Sequence, residues 1–526
     1  MAVETLSVDE KLDPALEGLE PKSVWYYLNQ IRQIPRNSGK EQRINRFILD
    51  WAVEHGFETK EDATGNIAIH VPGQGTRTVI CQGHSDMVCV KAPGSTHNFD
   101  TDPIRFARHD EAYDEIDSLF IKAVDTTSGV DNGGGLAQFM AAAVEPGVVR
   151  PPMIIVVTVE EESTLRGAEE LDPHALKLTE ASVIINLDTS RFKILCVGCA
   201  GINPVEATLP VLRDSAELMQ QGTFYEVDVK GYPGGHSGDD AGKENPIFFL
   251  RKILRFFPAG ARMATITGGE KRNLIPTDAS AIFYVPHAAD APHDVAMWQE
   301  AADALVTAKR TELGRPEITC TIRAMEGQKM LVPAMTMETH DRVMGTLDAL
   351  PDGILRRSTE VPDQVETSSN LGIVRTDAGS LKMNILVRGS VTDEMSQVAR
   401  STGKILSDHG FQVTVDEPLP SWQGDPTSPL VHLAQDAHRH VTGGQEPEIR
   451  TMHSFIEPGA VTHRLPQKGV QAISMGPTNL DEHVYSGKDR VGERVGVRSM
   501  ELSYQRFLYM LKGIAEGALE KESRVP

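Results

Sequence analysis

Residues 152–162 read PMIIVVTVEEE, a mostly apolar run that is followed at once by three glutamates. A run that is apolar on both faces is typical of a strand buried inside a parallel sheet. Similar runs lie at 66–71 (NIAIHV), 78–83 (TVICQG) and 181–187 (ASVIINL), and a helix is predicted from about residue 134 to 145. This alternation of strands and helices predicts an α/β fold with a mostly parallel sheet.

The pattern changes after about residue 203, where longer strands surround two helices. The order β-α-β-β-α-β is typical of a ferredoxin-like α+β layer. Its predicted elements are FYEVDVKG (224–231), a helix at 246–257, ASAIFYVP (279–286), a helix at 292–313 and EITCTIRAME (317–326). A second round, with a helix at 337–350, a hairpin at 365–390, a helix at 393–408 and a strand at 411–417, leaves open whether this layer is duplicated.

Composition and charge exclude several classes of function. The 526 residues include 52 Lys and Arg against 74 Asp and Glu, which gives a formal net charge of −22. Such a charge repels nucleic acid phosphates and anionic membranes, so we expect neither as a partner. The five cysteines are too few and too scattered for a disulfide framework. With no signal peptide and no long apolar run, the expected location is cytoplasmic.

Polar residues recur where the predicted apolar strands end. The carboxyl ends of parallel strands open onto one edge of the sheet, so side chains that are far apart in sequence can converge there. Two further residues lie in comparable places, one before a helix and one after the strand at 471–477. The residues in these positions are His84, Asp86, Asp131, Glu161, Glu162, Asp188 and His483.

Each signal alone has an ordinary structural explanation. Glu161 and Glu162 could begin a solvated helix, because the helix dipole favours acidic residues there. Asp131 could cap the helix that follows it. Together, two histidines and three carboxylates suit two divalent ions, and zinc accepts nitrogen and oxygen ligands of this kind. A further glutamate beside a ligand glutamate is what a hydrolase needs as a general base.

The ordered motifs of the chain resemble those of the di-zinc aminoacylase and dipeptidase clan, and within it most the cytosolic aminoacyl-histidine dipeptidases (carnosinase-like). The resemblance runs from about residue 24 to 515 and rests on motifs in the family's order. They are GHSDMV (83–88), TTSGVDNGGG (126–135), TVEEESTLRGA (158–168), INLDTS (185–190) with VGCAG (197–201), GGHSG (234–238), RNLIP (272–276), VETSSNLG (365–372), LVRGS (386–390) and SMGPTNLDEH (474–483).

The resemblance implies a role for each candidate residue at the metal centre. His84 and Asp188 would hold one zinc, Glu162 and His483 the other, and Asp131 would bridge the two. Cobalt or manganese are alternatives to zinc. Glu161 would be the general base. Asp86 would orient His84, as a carboxylate beside a ligand histidine does. The clan also implies a cis peptide after the bridging aspartate, here Asp131–Asn132.

The resemblance also implies a domain arrangement and a substrate. A flexible acidic arm would occupy residues 1–20, the catalytic α/β domain 21–202 and 417–526, and an inserted lid domain 203–416. His236, Asn273 and Arg388 of the lid would bind the carbonyl and carboxylate of a short peptide. The reaction would be hydrolysis of dipeptides, with Xaa-His or broad specificity, and a homodimer is consistent with the clan.

The chain departs from the clan around the substrate, at Thr164, at Ser190, after GGHSG and in the longer loop after His483. The metal ligands and the base are retained. Three alternatives therefore stay open: an N-acyl-amino-acid deacylase on the same scaffold, a non-catalytic peptide-binding relative, and a metal-free structural protein. The retained Glu161 argues against the second, because a binding protein has no need of a base.

Overall fold

The computed structural model describes residues 11–287, 295–325, 332–359 and 364–520, which form two compact units. The first unit comprises the described residues of Met1–Gly198, Trp422–Thr451 and Ile456–Pro526. The second comprises those of Cys199–Ser421 and Met452–Phe455. The sequence predicts residues 199–202, 417–421 and 452–455 as part of the catalytic domain, whereas in the structure they group with the second unit.

The first unit is built on a nine-stranded sheet. Eight strands are paired in the order Glu58–Glu61, Ile67–Val71, Met153–Thr158, Thr78–His84, Ala181–Asn186, Gln471–Ser474, Ile194–Cys199 and Trp422–Gln423, and Glu448–Met452 pairs with Ile194–Cys199.

The four central strands of this sheet are parallel to one another. Thr78–His84 lies between Met153–Thr158 and Ala181–Asn186, and Gln471–Ser474 pairs with Ala181–Asn186 in the same direction. Met153–Thr158 is buried along its whole length, as its uninterrupted apolar sequence predicts. Antiparallel strands extend the sheet on both sides. The predicted α/β class is confirmed, and the sheet is mixed, with its parallel strands at the centre.

Helices and a smaller sheet complete the first unit. The helices are Lys22–Ile31, Gln42–Glu54, Val130–Val144, Glu161–Thr164, Arg166–Glu169, Pro429–Thr442, Glu457–Arg464 and Val497–Ala515. The smaller sheet pairs Asn479–Leu480, Arg494–Gly496, Leu119–Ala123 and Phe106–Asp110 in that order. No helix in the described part of the chain combines the length and apolar character of a membrane span.

Residues 11–20 are packed, although the sequence predicted a flexible arm over 1–20. Asp13 caps the 3-10 turn Pro14–Leu16, and its side chain accepts the backbone N–H of Ala15 at 3.0 Å. Leu16 and Leu19 are buried in the core of the first unit. These two leucines anchor the segment, which an acidic composition alone does not reveal. Residues 1–10 lie outside the described residues.

The second unit contains one continuous antiparallel sheet. Eight of its strands pair in the order Thr319–Ala324, Gly222–Lys230, Ala279–Pro286, Arg262–Gly268, Val365–Thr376, Ser380–Gly389, Gly201–Pro210 and Gln412–Val415, and Gly353–Arg357 pairs with Val365–Thr376. Its helices are Pro246–Leu254, Val295–Leu313, Met337–Ala349 and Thr392–Asp408, together with the 3-10 turn Leu218–Gln221. Residues 292–294, where the sequence predicted the start of the second of these helices, lie outside the described residues.

This sheet consists of two ferredoxin-like layers joined edge to edge. In each layer the strands lie in the spatial order four, one, three, two, which is the ferredoxin-like arrangement. The layers meet where Arg262–Gly268 pairs with Val365–Thr376. The first strand of the second layer, Gly201–Pro210, precedes the whole first layer in the chain. The layer is therefore duplicated.

Candidate metal centre

Asp131 lies between the two histidines that the sequence singled out. Its Oδ1 is 3.0 Å from His84 Nε2, and its Oδ2 is 3.5 Å from His483 Nε2. His483 Nε2 is also 2.8 Å from Glu162 Oε2, and His84 Nε2 is 3.7 Å from Asp188 Oδ1. The five residues predicted as ligands are thus brought together, with one oxygen of Asp131 directed to each histidine.

The local backbone explains how these side chains reach one place. His84 is the last residue of strand Thr78–His84, and its side chain is buried. Asp131 follows Gly129, whose φ of 64° turns the chain into helix Val130–Val144. His483 itself has a φ of 64°, a left-handed conformation that is uncommon outside glycine and concentrates at functional sites.

Asp86 joins the His84 loop to the glutamate turn. Its Oδ1 lies 3.4 Å from His84 Nδ1. Its carboxylate also accepts the backbone N–H groups of Glu161 at 3.0 Å and Glu162 at 3.2 Å. This one carboxylate therefore contacts the ring of one candidate ligand and the backbone of two neighbouring candidates.

Asp188 is held by the residue that follows Asp131. Asn132 Nδ2 donates to Asp188 Oδ1 at 2.5 Å and to the carbonyl of Leu187 at 2.8 Å. The Asp131–Asn132 peptide bond is cis, as the resemblance implies.

Crowding of like charges dominates the electrostatics of the centre. Burial, together with the neighbouring carboxylates of Glu162, Glu457 and Asp188, raises the pKa of Glu161 well above its usual value. Burial would lower the pKa of His84, but Asp188 and Asp131 raise it well above its usual value. The arrangement therefore favours positive charge at its centre.

This donor set fits a divalent cation. His84, Asp131 and Glu162 each offer a ligand atom, and these atoms lie within 4.8 Å of one another. The Oε1 atom of Glu162 is buried and has no hydrogen-bond partner among the residues that the structure describes. A buried carboxylate oxygen without a donor is costly unless a cation satisfies it, and imidazole with carboxylate suits borderline-hard metals.

A buried polar network lies beneath the centre, at the carboxyl ends of the parallel strands. Gln82 Nε2 donates to Glu457 Oε2 at 2.5 Å, and Gln82 Oε1 accepts from Asn186 Nδ2 at 2.8 Å. Ser474 donates to Asn186 Oδ1 and lies 2.7 Å from Thr189 Oγ1. Three parallel strands and the start of helix Glu457–Arg464 are joined by these side chains.

Three carboxylates near the centre were not found from the sequence. Glu457 and Glu493 are buried, and Glu493 accepts the backbone N–H of Ser128 at 3.0 Å. Burial and the nearby charge of Asp131 raise the pKa of Glu482 well above its usual value. Glu457 begins a helix before a proline, so in sequence it looks like an ordinary helix start. Glu482 directly precedes His483, and this adjacency was the available signal.

The second unit brings together the three residues predicted for substrate binding. His236 Nε2 lies 3.2 Å from Arg388 Nη2, and Arg388 Nε donates to Ser237 Oγ at 3.1 Å. Asn273 accepts the backbone N–H of Ser237 at 2.9 Å through its carbonyl. The short strands Gly235–His236 and Leu274–Ile275 pair and hold these loops side by side.

His453 belongs to the same cluster and was also missed. Its Nε2 lies 2.8 Å from Ser368 Oγ. Burial and the charge of Arg388 lower the pKa of His453 to about 4, so the ring is neutral at physiological pH. It lies in the short segment Met452–Phe455 that crosses into the second unit, and no repeating pattern in the sequence marks it.

Comparison with known proteins finds relatives that extend over nearly the whole chain. The cytosol non-specific dipeptidase of Escherichia coli (strain K12) is 29% identical over 485 residues, which cover 89% of this chain and 94% of that protein. The crystal structure of an aminoacylhistidine dipeptidase from Vibrio alginolyticus matches with a TM-score of 0.72 and 26% identity, covering 95% of this chain and 98% of that one. The resemblance to the dipeptidase clan is confirmed.

A more distant structure shares the fold alone. A tripeptidase from Staphylococcus aureus matches with a TM-score of 0.51 and 13% identity over 95% of this chain and 99% of that one. No family model matches the chain. The clan's fold therefore persists in a sequence that has diverged from its relatives at most positions.

Proposed function

We propose that the chain is a metal-dependent dipeptidase. The observation that carries the proposal is the position of Asp131, with one carboxylate oxygen directed to His84 and the other to His483. A carboxylate placed in this way suits a bridge between two cations. The resemblance to dipeptidases along nearly the whole chain supports the same function.

Two divalent ions fit the donor set, and zinc is the proposed metal. His84 and Asp188 would hold one ion, Glu162 and His483 the other, and Asp131 both. When bound, such ions polarise a carbonyl group and make water a nucleophile at neutral pH. Imidazole and carboxylate ligands suit zinc, and also cobalt or manganese.

Glu161 is the proposed general base. Its backbone N–H is fixed by Asp86 at 3.0 Å, and its neighbour Glu162 faces His483. Glu161 would take a proton from the attacking water as its oxygen bonds to the carbonyl carbon, and would then give that proton to the amine nitrogen as the scissile C–N bond breaks. Asp86 would keep the His84 ring in the orientation its role requires.

Arg388, His236 and Asn273 are the proposed substrate-binding residues. The Arg388 guanidinium is buried and forms no ion pair with a carboxylate of the described residues. Such a group suits the free carboxylate of a short peptide, since a guanidinium binds a carboxylate through two parallel hydrogen bonds. His236 would donate to the developing oxyanion. We propose Xaa-His or broad dipeptide specificity, a cytoplasmic location and a homodimer.

Activity on a panel of dipeptides, with and without chelator, tests the proposal. The expected result is hydrolysis of dipeptides that chelator abolishes and added zinc restores. Ala-His and N-acetyl-His assayed side by side separate a dipeptidase from a deacylase, because the second substrate lacks the free amine. Hydrolysis of N-acetyl-His alone would replace the proposal by deacylation, and peptide binding without turnover would indicate a non-catalytic relative.

A further inference from the structure

The loop after the first helix contributes a buried guanidinium to the metal centre's framework. Arg36 follows helix Lys22–Ile31 and is 2% exposed. Its Nη1 donates to the carbonyl of Ser85 at 3.0 Å and to that of Asp86 at 2.7 Å. Its Nη2 donates to the carbonyl of Gly129. One side chain therefore bonds the loop that carries His84 and the turn that carries Asp131.

The glycines of the TTSGVDNGGG motif make room for this guanidinium. A Cβ atom on Gly129 would lie 2.7 Å from Arg36 Nη2, and one on Gly133 would lie 2.9 Å from the same atom. Contacts under 3.0 Å are not tolerated without a shift of the neighbouring atoms. Part of the glycine pattern in this motif is thus explained by Arg36, which the sequence places about ninety positions earlier.

The next residues of the loop extend the same framework to the glutamate turn. Ser38 Oγ donates to Asp86 Oδ2 at 2.7 Å. Glu41, which is buried, accepts the backbone N–H of Glu160 at 3.1 Å. Arg36 also accepts the backbone N–H of Met87 at 3.0 Å through its carbonyl. Together with the bond from Arg36 Nη2 to the carbonyl of Gly129, these contacts from one loop reach the turns that carry Asp86, Asp131 and Glu161.

We propose that Arg36 is a positioning residue of the metal centre, which sets the spacing between His84 and Asp131 through their backbones. The proposal rests on the proposed function, since its consequence for catalysis requires the metal-dependent reaction. Arg36 forms no ion pair with a carboxylate among the described residues, so its donors are used on carbonyls. A lysine keeps the charge, but its single ammonium cannot reproduce a planar fork that spans two loops.

The test is Arg36→Lys in the zinc-loaded full chain, compared with Arg32→Lys. Arg32 lies four positions earlier, is largely buried and donates to the carbonyl of Ile104 at 2.6 Å, away from the metal centre. Arg36→Lys is expected to lower kcat by roughly 10²-fold, the size of effect that misplaced catalytic groups produce, with KM nearly unchanged. It should also lower metal affinity by about 10- to 100-fold in competition with a chelator, as loss of a group supporting the ligands does.

Arg32→Lys should change neither kcat nor the metal affinity, even if it lowers thermal stability. Equal effects of the two lysine variants would show that Arg36 stabilises the fold only, and would overturn the proposal. If the wild-type chain has no peptidase activity, the chelator competition still decides the role of Arg36, so the two failures are distinguishable.

Gly133→Ala supplies a second variant if Arg36→Lys does not fold. Its new methyl group meets the guanidinium at 2.9 Å and meets Ile31 and Leu28 only at 3.4 Å. Gly133→Ala therefore keeps the charge of Arg36 but displaces its guanidinium group. A lowered metal affinity is expected, and a folded Gly133→Ala chain with wild-type affinity and kcat would refute the proposal.

Discussion

Arg388 allows a quantitative test of how the substrate's carboxylate is recognised. The residue is 3% exposed, and its guanidinium contacts Ser237 and His236. Burial lowers its pKa to about 10, so it stays protonated at neutral pH. The Arg388 guanidinium is therefore a cation that is removed from water before any substrate binds. An anionic group is the partner that best offsets the free-energy cost of this burial.

The perturbation is Arg388→Met, measured on Ala-His and on its C-terminal amide. Removing one partner of a buried, hydrogen-bonded charge pair costs about 2–5 kcal/mol. At about 1.36 kcal/mol for each factor of ten, the expected loss in kcat/KM is roughly 30- to 5,000-fold. Amidation of the substrate should cost the wild-type enzyme a loss in the same range, because it removes the other partner of the same contact.

The combination of the two changes is the decisive measurement. If the guanidinium binds the carboxylate, the amide should cost the Arg388→Met enzyme little more, because the contact is already lost. Arg213→Met is the control, since Arg213 is another arginine of the second unit, and its guanidinium donates to the backbone carbonyls of Ala264 and Pro333. Equal wild-type rates on acid and amide, or losses that simply multiply, would refute the assignment.

Further outcomes follow from the same geometry. Glu161→Gln should keep the metal and lose roughly 10²–10⁴-fold in kcat, whereas Glu162→Gln should lose metal as well; two fully active variants would contradict both roles. Elemental analysis after zinc reconstitution should give two ions per chain, and a value of one or none would count against the bridging role of Asp131. Mixing inactive Glu161→Gln and His236→Ala chains is expected to restore no activity, on the proposal that each chain carries a complete site; recovery would show that sites are shared between chains. Burial and the charge of Glu244 raise the pKa of Asp352 to about 7, so the folded state binds this proton more tightly and loses that stability as pH rises from about 4 through 7. Asp352→Asn should therefore raise Tm at pH 8 more than at pH 5, and an equal shift at both would refute the reasoning.

The sequence predicts the elements of the fold well, because their signals are local. The strand Ala279–Pro286 coincides with the predicted run, and helix Met337–Ala349 differs from its prediction by one residue. These elements carry strong periodicity or uninterrupted apolar runs. The duplication of the ferredoxin-like layer is harder to predict. Its first strand, Gly201–Pro210, is separated in the chain from the other strands of that layer by more than a hundred residues.

The side chains that support the site could not be predicted from the sequence, because their roles depend on tertiary contacts that no local sequence pattern shows. Arg36 sits in the loop PRNSGKE, which on its own suggests only a turn. Its importance appears when Gly129 and Gly133 are found against its guanidinium. Glu457 and His453 likewise depend on partners far away in the sequence, 375 positions for Gln82 and 85 positions for Ser368. The ends of the predicted strands identify the candidate ligands, whereas the groups that support those ligands are brought to them only by the tertiary fold.

The hydrogen-bonded chain from Glu457 through Gln82 and Asn186 to Ser474 has a consequence for handling the protein. Because these side chains join the strand ends through each other, the positions of His84 and Asp188 are determined by protein contacts. Dialysis against a chelator should then leave a cooperatively folding protein with unchanged secondary structure. Refilling with Co²⁺ would introduce visible absorption bands, so that ligand binding at the centre could be followed spectroscopically in a natively folded chain.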